Sequence, residues 1–235
     1  MKESIYTIPI SEVFEPKCGC PICALYSQLE TRWVEYITGA AMMEPDVRVE
    51  TNKQGFCLKH FEMMLSQRNR LSVALVLQTR LAHVDETLIP VFEKRSLFTK
   101  AAAPSTEKSC FVCSQINREF LRIGDNIASL WGRDSDFKEL YSEQEFLCLP
   151  HYRSLIAAAP KALKQAEAES FISESARLTR KRLSQVKADI DSFCNLFDYR
   201  NAGSGAPSPE VSAAIEFAIE YLISEAPGAA EKQGK

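Results

Sequence analysis

The chain has 235 residues, of which 46% are hydrophobic and 25% charged, as in a globular protein with one large domain or two small ones. A formal net charge of −3 and an isoelectric point near 5.8 argue against a general affinity for nucleic acid or anionic membranes, because both depend on clustered Lys and Arg. No apolar run is long enough for a signal peptide or a membrane span, so we expect a cytoplasmic protein.

The first predicted helix begins within the phrase Cys20-Pro-Ile-Cys23. Residues 4–10 before it contain β-branched and aromatic residues but are interrupted by Pro9, a pattern that predicts an extended arm or an edge strand. From Pro21 to about Thr38, apolar residues recur every three or four positions, which indicates an amphipathic helix with Cys20 at its N-cap. Residues 40–55 predict a long connection.

A second helical stretch, residues 58–89, begins within the phrase Cys57-Leu-Lys-His60 and ends before Pro90. Residues 99–109 lack any apolar pattern and predict a linker between a first unit, residues 1–98, and a second unit, residues 110–200. The second unit repeats the plan with Cys110-Phe-Val-Cys113, a helix through Leu130, a polar connection at 132–142, and Cys148-Leu-Pro-His151.

A long helix between Ala162 and Phe197 ends the second unit. Its apolar positions form a heptad stripe of Ile172, Ala176, Thr179, Leu183, Val186, Ile190, Phe193 and Phe197. Such a stripe must meet another helix, in the same chain or in a second chain. Residues 201–207 predict a second linker, and residues 208–225 a terminal docking helix with one apolar stripe.

The Cys-x-x-Cys and Cys-x-x-His phrases form an internal repeat. From Cys20 to Cys110 the offset is 90 positions, and from Cys57 to Cys148 it is 91. Three thiolates and one imidazole suit tetrahedral Zn²⁺, and a set of four protein ligands leaves no open position for water, so we expect two structural zinc sites. The predicted metal ligands are Cys20, Cys23, Cys57, His60, Cys110, Cys113, Cys148 and His151.

Several alternatives to this assignment stay open. Iron–sulfur ligation uses the same soft ligands, and paired cysteines in a reducing compartment can also be buried thiols. Taking the phrases in order, we expect Cys20, Cys23, Cys57 and His60 to form one set and their repeat equivalents the other. Pairing across the repeats is the alternative, as is replacement of Cys20 by Cys18.

The remaining chemistry-bearing residues predict no active site. Cys18 is interpreted as a spare thiol, Cys194 as a core thiol and His83 as a structural histidine, and no catalytic triad can be assembled. The polar group Asp46, Arg48 and Glu50 indicates either a solvated loop or a small binding site.

The order of motifs resembles an uncharacterised family of bacterial cytosolic proteins with a Cys-x-x-Cys and Gly-Phe-Cys-x-x-His signature. The matching segments are Cys20-Pro-Ile-Cys23, Met42-Met-Glu-Pro-Asp-Val-Arg48, Thr51-Asn-Lys-Gln-Gly-Phe-Cys-Leu-Lys-His-Phe61 and Asn69-Arg-Leu71. Some relatives carry the automatic label "ABC transporter substrate-binding protein", which nothing in this sequence supports. The resemblance implies the metal ligands and no reaction.

We therefore expect a mainly α protein, with two similar zinc-clamped helical units, a long C-terminal helix and a terminal docking helix, packed as one body. The favoured function is a non-enzymatic interaction or scaffold protein that binds a protein partner or a second copy through its helices. A metal- or thiol-responsive regulator is the main alternative, followed by a zinc hydrolase. Nucleic-acid binding would require a patch formed by Arg177, Arg180, Lys181 and Arg182.

Overall fold

The computed structural model describes residues 8–90, 109–197 and 207–224. Within these ranges every regular element is a helix and no strand occurs, which confirms the mainly α fold class. None of the described helices is both long and apolar enough to cross a membrane. The predicted linkers, residues 99–109 and 201–207, lie outside these ranges except for their last residues.

Before the first linker, the structure has more helices than the sequence patterns predict. They are α1 Ile8–Phe14, α2 Pro21–Thr38, a 3₁₀ helix Ala40–Met43, α3 Pro45–Gln54, α4 Leu58–Ser66, α5 Arg70–His83 and a π-helical turn Val84–Leu88. The helix predicted from Pro21 to Thr38 is confirmed. The extended arm is wrong for its described residues, which begin α1.

Two further predictions for this half are wrong. The connection at 40–55 is mostly helical, because Pro45 opens α3 at a first-turn position where its missing N–H is not needed. The single helix at 58–89 is broken before Asn69, whose side chain accepts a hydrogen bond from Ser72 N (3.2 Å) and donates one to Thr38 O (3.1 Å). Asn69 thereby caps a new helix, as Asn does readily.

After the first linker the elements are α6 Phe111–Arg133, α7 Ser135–Ser142, α8 Leu149–Ala162, α9 Gln165–Asn195, α10 Pro209–Ser212 and α11 Ala214–Ile223. The predicted polar connection at 132–142 is wrong, since it contains α7. Asp134 caps this helix by accepting hydrogen bonds from the backbone N–H groups of Asp136 (3.1 Å) and Phe137 (3.0 Å).

Contacts between the described residues define two compact units. Unit 1 contains the described residues up to Tyr26 and those between Phe120 and Ser224, and unit 2 contains the described part of Ser27–Glu119. The boundaries fall inside α2 and α6, so each of these helices contributes residues to both units. The consecutive division of the sequence at residues 98 and 110 stays a prediction.

An aromatic cluster forms the core of unit 1. Phe14 lies 5.1 Å from Phe137 and 5.8 Å from Tyr141, and Phe171 lies 5.2 Å from Tyr141 and 5.4 Å from Trp131, measured between ring centroids. Offset and edge-on contacts at these distances add to the stability gained by burial. The core of unit 2 is mainly aliphatic, with Val34, Ile37, Met64, Val73, Val76, Val112 and Ile116.

Phe171 offers a direct test of this core, because its side chain is completely buried. Phe171→Ala should lower the free energy of unfolding by about 3–5 kcal/mol, through lost burial and the cavity left between Trp131 and Tyr141. Urea denaturation followed by circular dichroism measures the change. Leu121→Ala is the matched control, since Leu121 is 78% exposed and its truncation should change the stability little.

The long helix α9 buries a different face from the predicted heptad stripe. Of the eight stripe residues only Thr179 and Val186 are buried, whereas Leu183 is 47% and Phe197 78% exposed. The buried face instead runs through Phe171, Ser175 and Leu178 and packs mainly against α8 and α11. Part of the stripe therefore remains on the surface of unit 1.

The terminal helix α11 packs against α9 and α8 and leaves much of its apolar surface exposed. Tyr221 is buried and donates a hydrogen bond to Thr179 O (3.0 Å). The other large apolar residues of this helix are between 38% and 56% exposed; they are Ile215, Phe217, Ile219, Leu222 and Ile223.

Candidate metal centres

The eight cysteine and histidine residues singled out in the sequence form two groups of four. Cluster I, in unit 1, consists of Cys20, Cys23, Cys148 and His151, and cluster II, in unit 2, consists of Cys57, His60, Cys110 and Cys113. In each cluster all four candidate ligand atoms lie within 4.8 Å of one another. Their function as metal ligands stays a prediction, but their convergence is a property of the fold.

Each cluster lies where two helices begin. Cys20 and Cys110 immediately precede α2 and α6, and Cys148 and Cys57 are the N-caps of α8 and α4. The backbone carbonyl of each of these cysteines accepts the first hydrogen bond of its own helix. The donors are the backbone N–H groups of Ala24 for Cys20, Ser114 for Cys110, Tyr152 for Cys148 and Phe61 for Cys57. Free N–H groups and the positive end of the helix dipole at such termini stabilise thiolates.

The expected pairing of the ligands within each repeat is wrong. Each cluster takes its Cys-x-x-Cys from one repeat and its Cys-x-x-His from the other. A hydrogen bond from Phe111 N to Gly55 O (2.9 Å), with another from Ser109 Oγ to Gln54 O (2.7 Å), holds the start of α6 against the chain leading into Cys57. These contacts place Cys110 and Cys113, rather than Cys20 and Cys23, beside His60.

In both clusters the histidine presents Nδ1 to the sulfurs. The Nδ1 atom of His151 lies 3.0 Å from Sγ of Cys148, 3.3 Å from that of Cys23 and 3.7 Å from that of Cys20. The Nδ1 atom of His60 lies 3.0, 3.3 and 3.5 Å from the sulfurs of cluster II, which belong to Cys57, Cys110 and Cys113. The second ring nitrogen, Nε2, is therefore turned away from the sulfurs in each cluster.

These donor sets fit a tetrahedral ion. With bonds of about 2.3 Å to sulfur and 2.0 Å to nitrogen, Zn²⁺ would hold two sulfurs about 3.8 Å apart and a sulfur and a nitrogen about 3.5 Å apart. The Sγ atoms of Cys23 and Cys148 are 3.6 Å apart, and those of Cys57 and Cys113 are 4.0 Å apart. The cysteines are also free of disulfides, as metal ligation requires.

The pKa values within the clusters follow the contacts between sulfur and nitrogen. Burial alone would raise the pKa of Cys110, but its hydrogen bond with His60 lowers the pKa to about 6. Burial alone would lower the pKa of His60, but its contacts with Cys110 and Glu30 raise the pKa to about 10. Because a metal ion binds thiolates and neutral imidazole, it must displace the imidazole proton, and metal affinity should fall as the pH is lowered.

Cluster II has a buried carboxylate behind its histidine. The Oε1 atom of Glu30, on α2, lies 3.3 Å from Nε2 of His60 and 2.7 Å from Nζ of Lys59. The side chain of Glu30 is only 7% exposed. Burial would raise the pKa of this carboxyl, but the contacts with His60 and Lys59 outweigh burial and lower the pKa, so Glu30 carries a charge. Glu30 is not among the residues predicted from the sequence motifs, although an acidic residue within an amphipathic helix beside a metal phrase is a usable signal.

In cluster I the residue at the repeat position equivalent to Glu30 is aromatic and contacts the histidine ring. Phe120 follows Glu30 by 90 positions, the same offset that relates the Cys-x-x-Cys phrases. Its ring centroid lies 5.4 Å from that of His151 and 5.5 Å from that of Tyr26. The two clusters therefore share their ligands but differ in what contacts the histidine.

A cavity of about 440 Å³ in unit 1 borders cluster I. All three cysteines of the cluster line it, together with Phe146, Tyr221 and Arg182. Arg182 is stacked over the ring of Phe146, 4.8 Å from its centroid. Just after α11, Ser224 Oγ lies 3.2 Å from Cys148 Sγ. Small molecules can therefore approach the sulfurs of cluster I through this cavity.

Neither of the two other cysteines joins a cluster. Cys18 is exposed, and cluster I contains Cys20 instead of Cys18. Both observations agree with the interpretation of Cys18 as a spare thiol. The prediction that Cys194 is a core thiol is wrong, because Cys194 is exposed near the end of α9.

The polar residues singled out in the sequence have structural contacts. Arg48 donates a hydrogen bond to Leu75 O (3.0 Å), and Glu50 pairs with Lys53 at 2.9 Å, whereas Asp46 is exposed.

Two arginines of the basic run on α9 also have partners. Arg177 pairs with Glu174 at 2.6 Å, and Arg182 stacks on Phe146. These arginines are therefore already engaged within unit 1.

Comparison with known protein families gives a match over most of the chain. Residues 1–229 match the model of a family of unknown function, DUF6062. The chain belongs to this family. No curated protein and no solved structure matches the chain significantly. Membership of DUF6062 thus covers both repeats and brings no known activity.

Proposed function

We propose that this DUF6062 protein binds one Zn²⁺ ion in each cluster and acts as a non-enzymatic, cytoplasmic interaction or scaffold protein. The observation that carries the proposal is the convergence of three sulfurs and one imidazole nitrogen at two helix N-termini, twice in one chain. Four protein ligands complete the tetrahedral coordination of zinc, whereas a catalytic zinc keeps one position for water.

The position of Glu30 also favours structure over hydrolysis. Its carboxylate contacts Nε2 of His60, and the sulfurs of cluster II contact Nδ1 of the same ring. Glu30 is thus placed to orient the histidine, whereas a general base would have to reach water bound at the metal itself.

Elemental analysis of the purified protein tests the metal assignment. We expect two Zn per chain, because both clusters offer the same donors at similar separations. A single zinc, or iron in place of zinc, would contradict it. The competing iron–sulfur assignment also predicts visible absorbance, which a zinc protein lacks.

The exposed apolar surface of α11 supports the scaffold role. Contiguous exposed apolar residues on a folded protein commonly mark a binding surface for another protein. Size-exclusion chromatography with light scattering should show a dimer or a co-purifying partner. Leu222→Asp, at a residue 51% exposed, should abolish that assembly with no loss of helicity. An inert monomer in the wild type would refute the scaffold role and leave the zinc sites unaffected.

A thiol-responsive regulator is the second candidate, favoured by the cavity beside cluster I. A peroxide entering the cavity would oxidise two thiolates; with two protons, one hydrogen peroxide yields one disulfide and two waters, and the ion loses two ligands. The sulfurs of Cys23 and Cys148 are 3.6 Å apart, which is close enough for this reaction after a small movement. Since Ser224 contacts Cys148, the loss would also loosen the end of α11.

Peroxide treatment provides the test of this regulator. We expect release of about one zinc per chain, formation of one disulfide detectable by mass spectrometry of unreduced peptides, and altered helicity. Cys18→Ser should respond like the wild type, because Cys18 belongs to neither cluster. Unchanged zinc content and helicity after treatment would eliminate this candidate.

A further inference from the structure

The two clusters have identical donor atoms and different surroundings, and one of the differences lies at the histidines. Cluster II has a carboxylate at the free nitrogen of His60, and cluster I has the ring of Phe120 against His151. Burial of the ligands would not make cluster II the tighter site, because cluster II has two half-buried cysteines, Cys57 and Cys113, and cluster I has one, Cys23.

A carboxylate in this position strengthens a metal site in two ways. Oε1 of Glu30 lies 3.3 Å from Nε2 of His60, so it is placed to accept the Nε2 proton once Nδ1 binds the ion. Accepting that proton fixes the tautomer with Nδ1 free for the metal and increases the electron-donating power of the ring. Phe120 can do neither, since an aromatic ring contributes no hydrogen-bond acceptor of comparable strength. The buried charge of Glu30 is balanced by Lys59, which keeps the carboxylate in place at His60.

We infer that Glu30 is a positioning residue that makes cluster II the retentive zinc site, whereas cluster I is the exchangeable one. This inference rests on the proposed binding of two ions. It assigns separate functions to two sites that look equivalent in sequence: one ion holds unit 2 together permanently, and the other is open to exchange with chelators or competing thiols through the cavity in unit 1. The difference in affinity should be about 10- to 100-fold, the usual effect of such a hydrogen-bonding partner.

Replacement of zinc by ¹¹³Cd²⁺ makes the two sites separately visible, because each bound ion gives its own NMR signal. Cys148→Ser and Cys57→Ser assign the signals to cluster I and cluster II. On stepwise addition of EDTA to the wild-type protein, the signal of cluster I should disappear first. Simultaneous loss of both signals, or earlier loss of cluster II, would refute the inference.

Variants of Glu30 test its role directly. Glu30→Met keeps the approximate volume and removes the acceptor, so it should lower the affinity of cluster II by about 10- to 100-fold and leave that of cluster I unchanged. Glu30→Gln keeps an acceptor oxygen without the charge and should have a smaller effect, with a shifted ¹¹³Cd signal for cluster II alone. Glu35→Gln, at an exposed acid on the same helix, should behave like the wild type.

The possible results separate this inference from the proposed function. Binding of fewer than two Cd²⁺ ions by the wild type would refute the proposed function itself. Two ions of equal affinity, or equal losses at both clusters in the Glu30 variants, would refute only the inference. If Glu30→Met fails to fold, the Glu30→Gln signal and the wild-type order of release still decide the question.

Discussion

Removal of both metal ions should abolish the cooperative thermal unfolding of the protein or lower its Tm by about 20 °C or more. Structural zinc sites contribute about 10–16 kcal/mol in small peptides, which matches or exceeds the 5–15 kcal/mol total stability of typical domains. In a chain of this size each kcal/mol corresponds to about 2–4 °C in Tm. Even a fraction of the binding free energy therefore produces a large shift.

The expected loss follows from the position of the clusters. Each cluster joins two helix starts that are far apart in sequence: α2 with α8 in cluster I, and α4 with α6 in cluster II. Without an ion, neighbouring thiolates at these starts would repel one another or take up protons while buried.

Circular dichroism at 222 nm, recorded during heating with and without EDTA, measures the effect. Elemental analysis must confirm that the treated sample contains no zinc. Adding Zn²⁺ should restore the transition, and adding Mg²⁺ should not, because Mg²⁺ prefers oxygen ligands. An unchanged transition in verified metal-free protein would show that the helices pack without the clusters.

The eight candidate ligand residues could be selected from the sequence because their signal is local. A Cys-x-x-Cys or Cys-x-x-His at a helix start places two donors within one turn, and Pro21 and Pro150 mark such starts in the sequence. Helix α2 was also predictable from its apolar period.

The pairing of the ligands could not be predicted, because the repeat is symmetric. Pairing within the repeats and pairing across them use the same phrases at the same offsets, so spacing favours neither. Which phrases pair depends on tertiary hydrogen bonds, such as the one from Phe111 N to Gly55 O. Such bonds have no signature in the sequence.

The missed helices lacked a periodic signal for physical reasons. Helix α3 buries only Thr51, so its sequence shows no apolar stripe.

The long helix α9 was predicted, but its buried face was assigned to the wrong residues. The heptad spacing of apolar residues marks a stripe adjacent to the buried face, because that face includes small polar residues such as Ser175, which an apolar pattern does not count. Ser175 is satisfied by accepting from Tyr141 Oη (2.7 Å) and donating to Phe171 O (2.7 Å).

The crossed pairing of the ligands gives the second large prediction, which two double variants test. Cys57→Ser with Cys113→Ser removes two ligands of cluster II and none of cluster I, so the protein should keep about one zinc per chain. Cys57→Ser with Cys23→Ser removes one ligand from each cluster, so both sites should be lost in the presence of a competing chelator.

These two variants are closely matched. Both contain Cys57→Ser, both remove two cysteines, and the cysteine that differs, Cys113 or Cys23, is half-buried and lies in the first turn of its helix. General destabilisation should therefore be similar, and the difference in zinc content should report the pairing alone.

Pairing within the repeats predicts the opposite results. Cys57 and Cys23 would then share a site, and the variant lacking both would keep one zinc, whereas the variant lacking Cys57 and Cys113 would keep none. The two pairings predict opposite zinc contents for the two variants, so measuring the zinc content of both variants distinguishes them.

With crossed pairing, neither repeat can complete a metal site alone, because each Cys-x-x-Cys needs the Cys-x-x-His of the other repeat. Expression of residues 1–98 by themselves should accordingly give a chain that binds zinc weakly, whatever helices it forms.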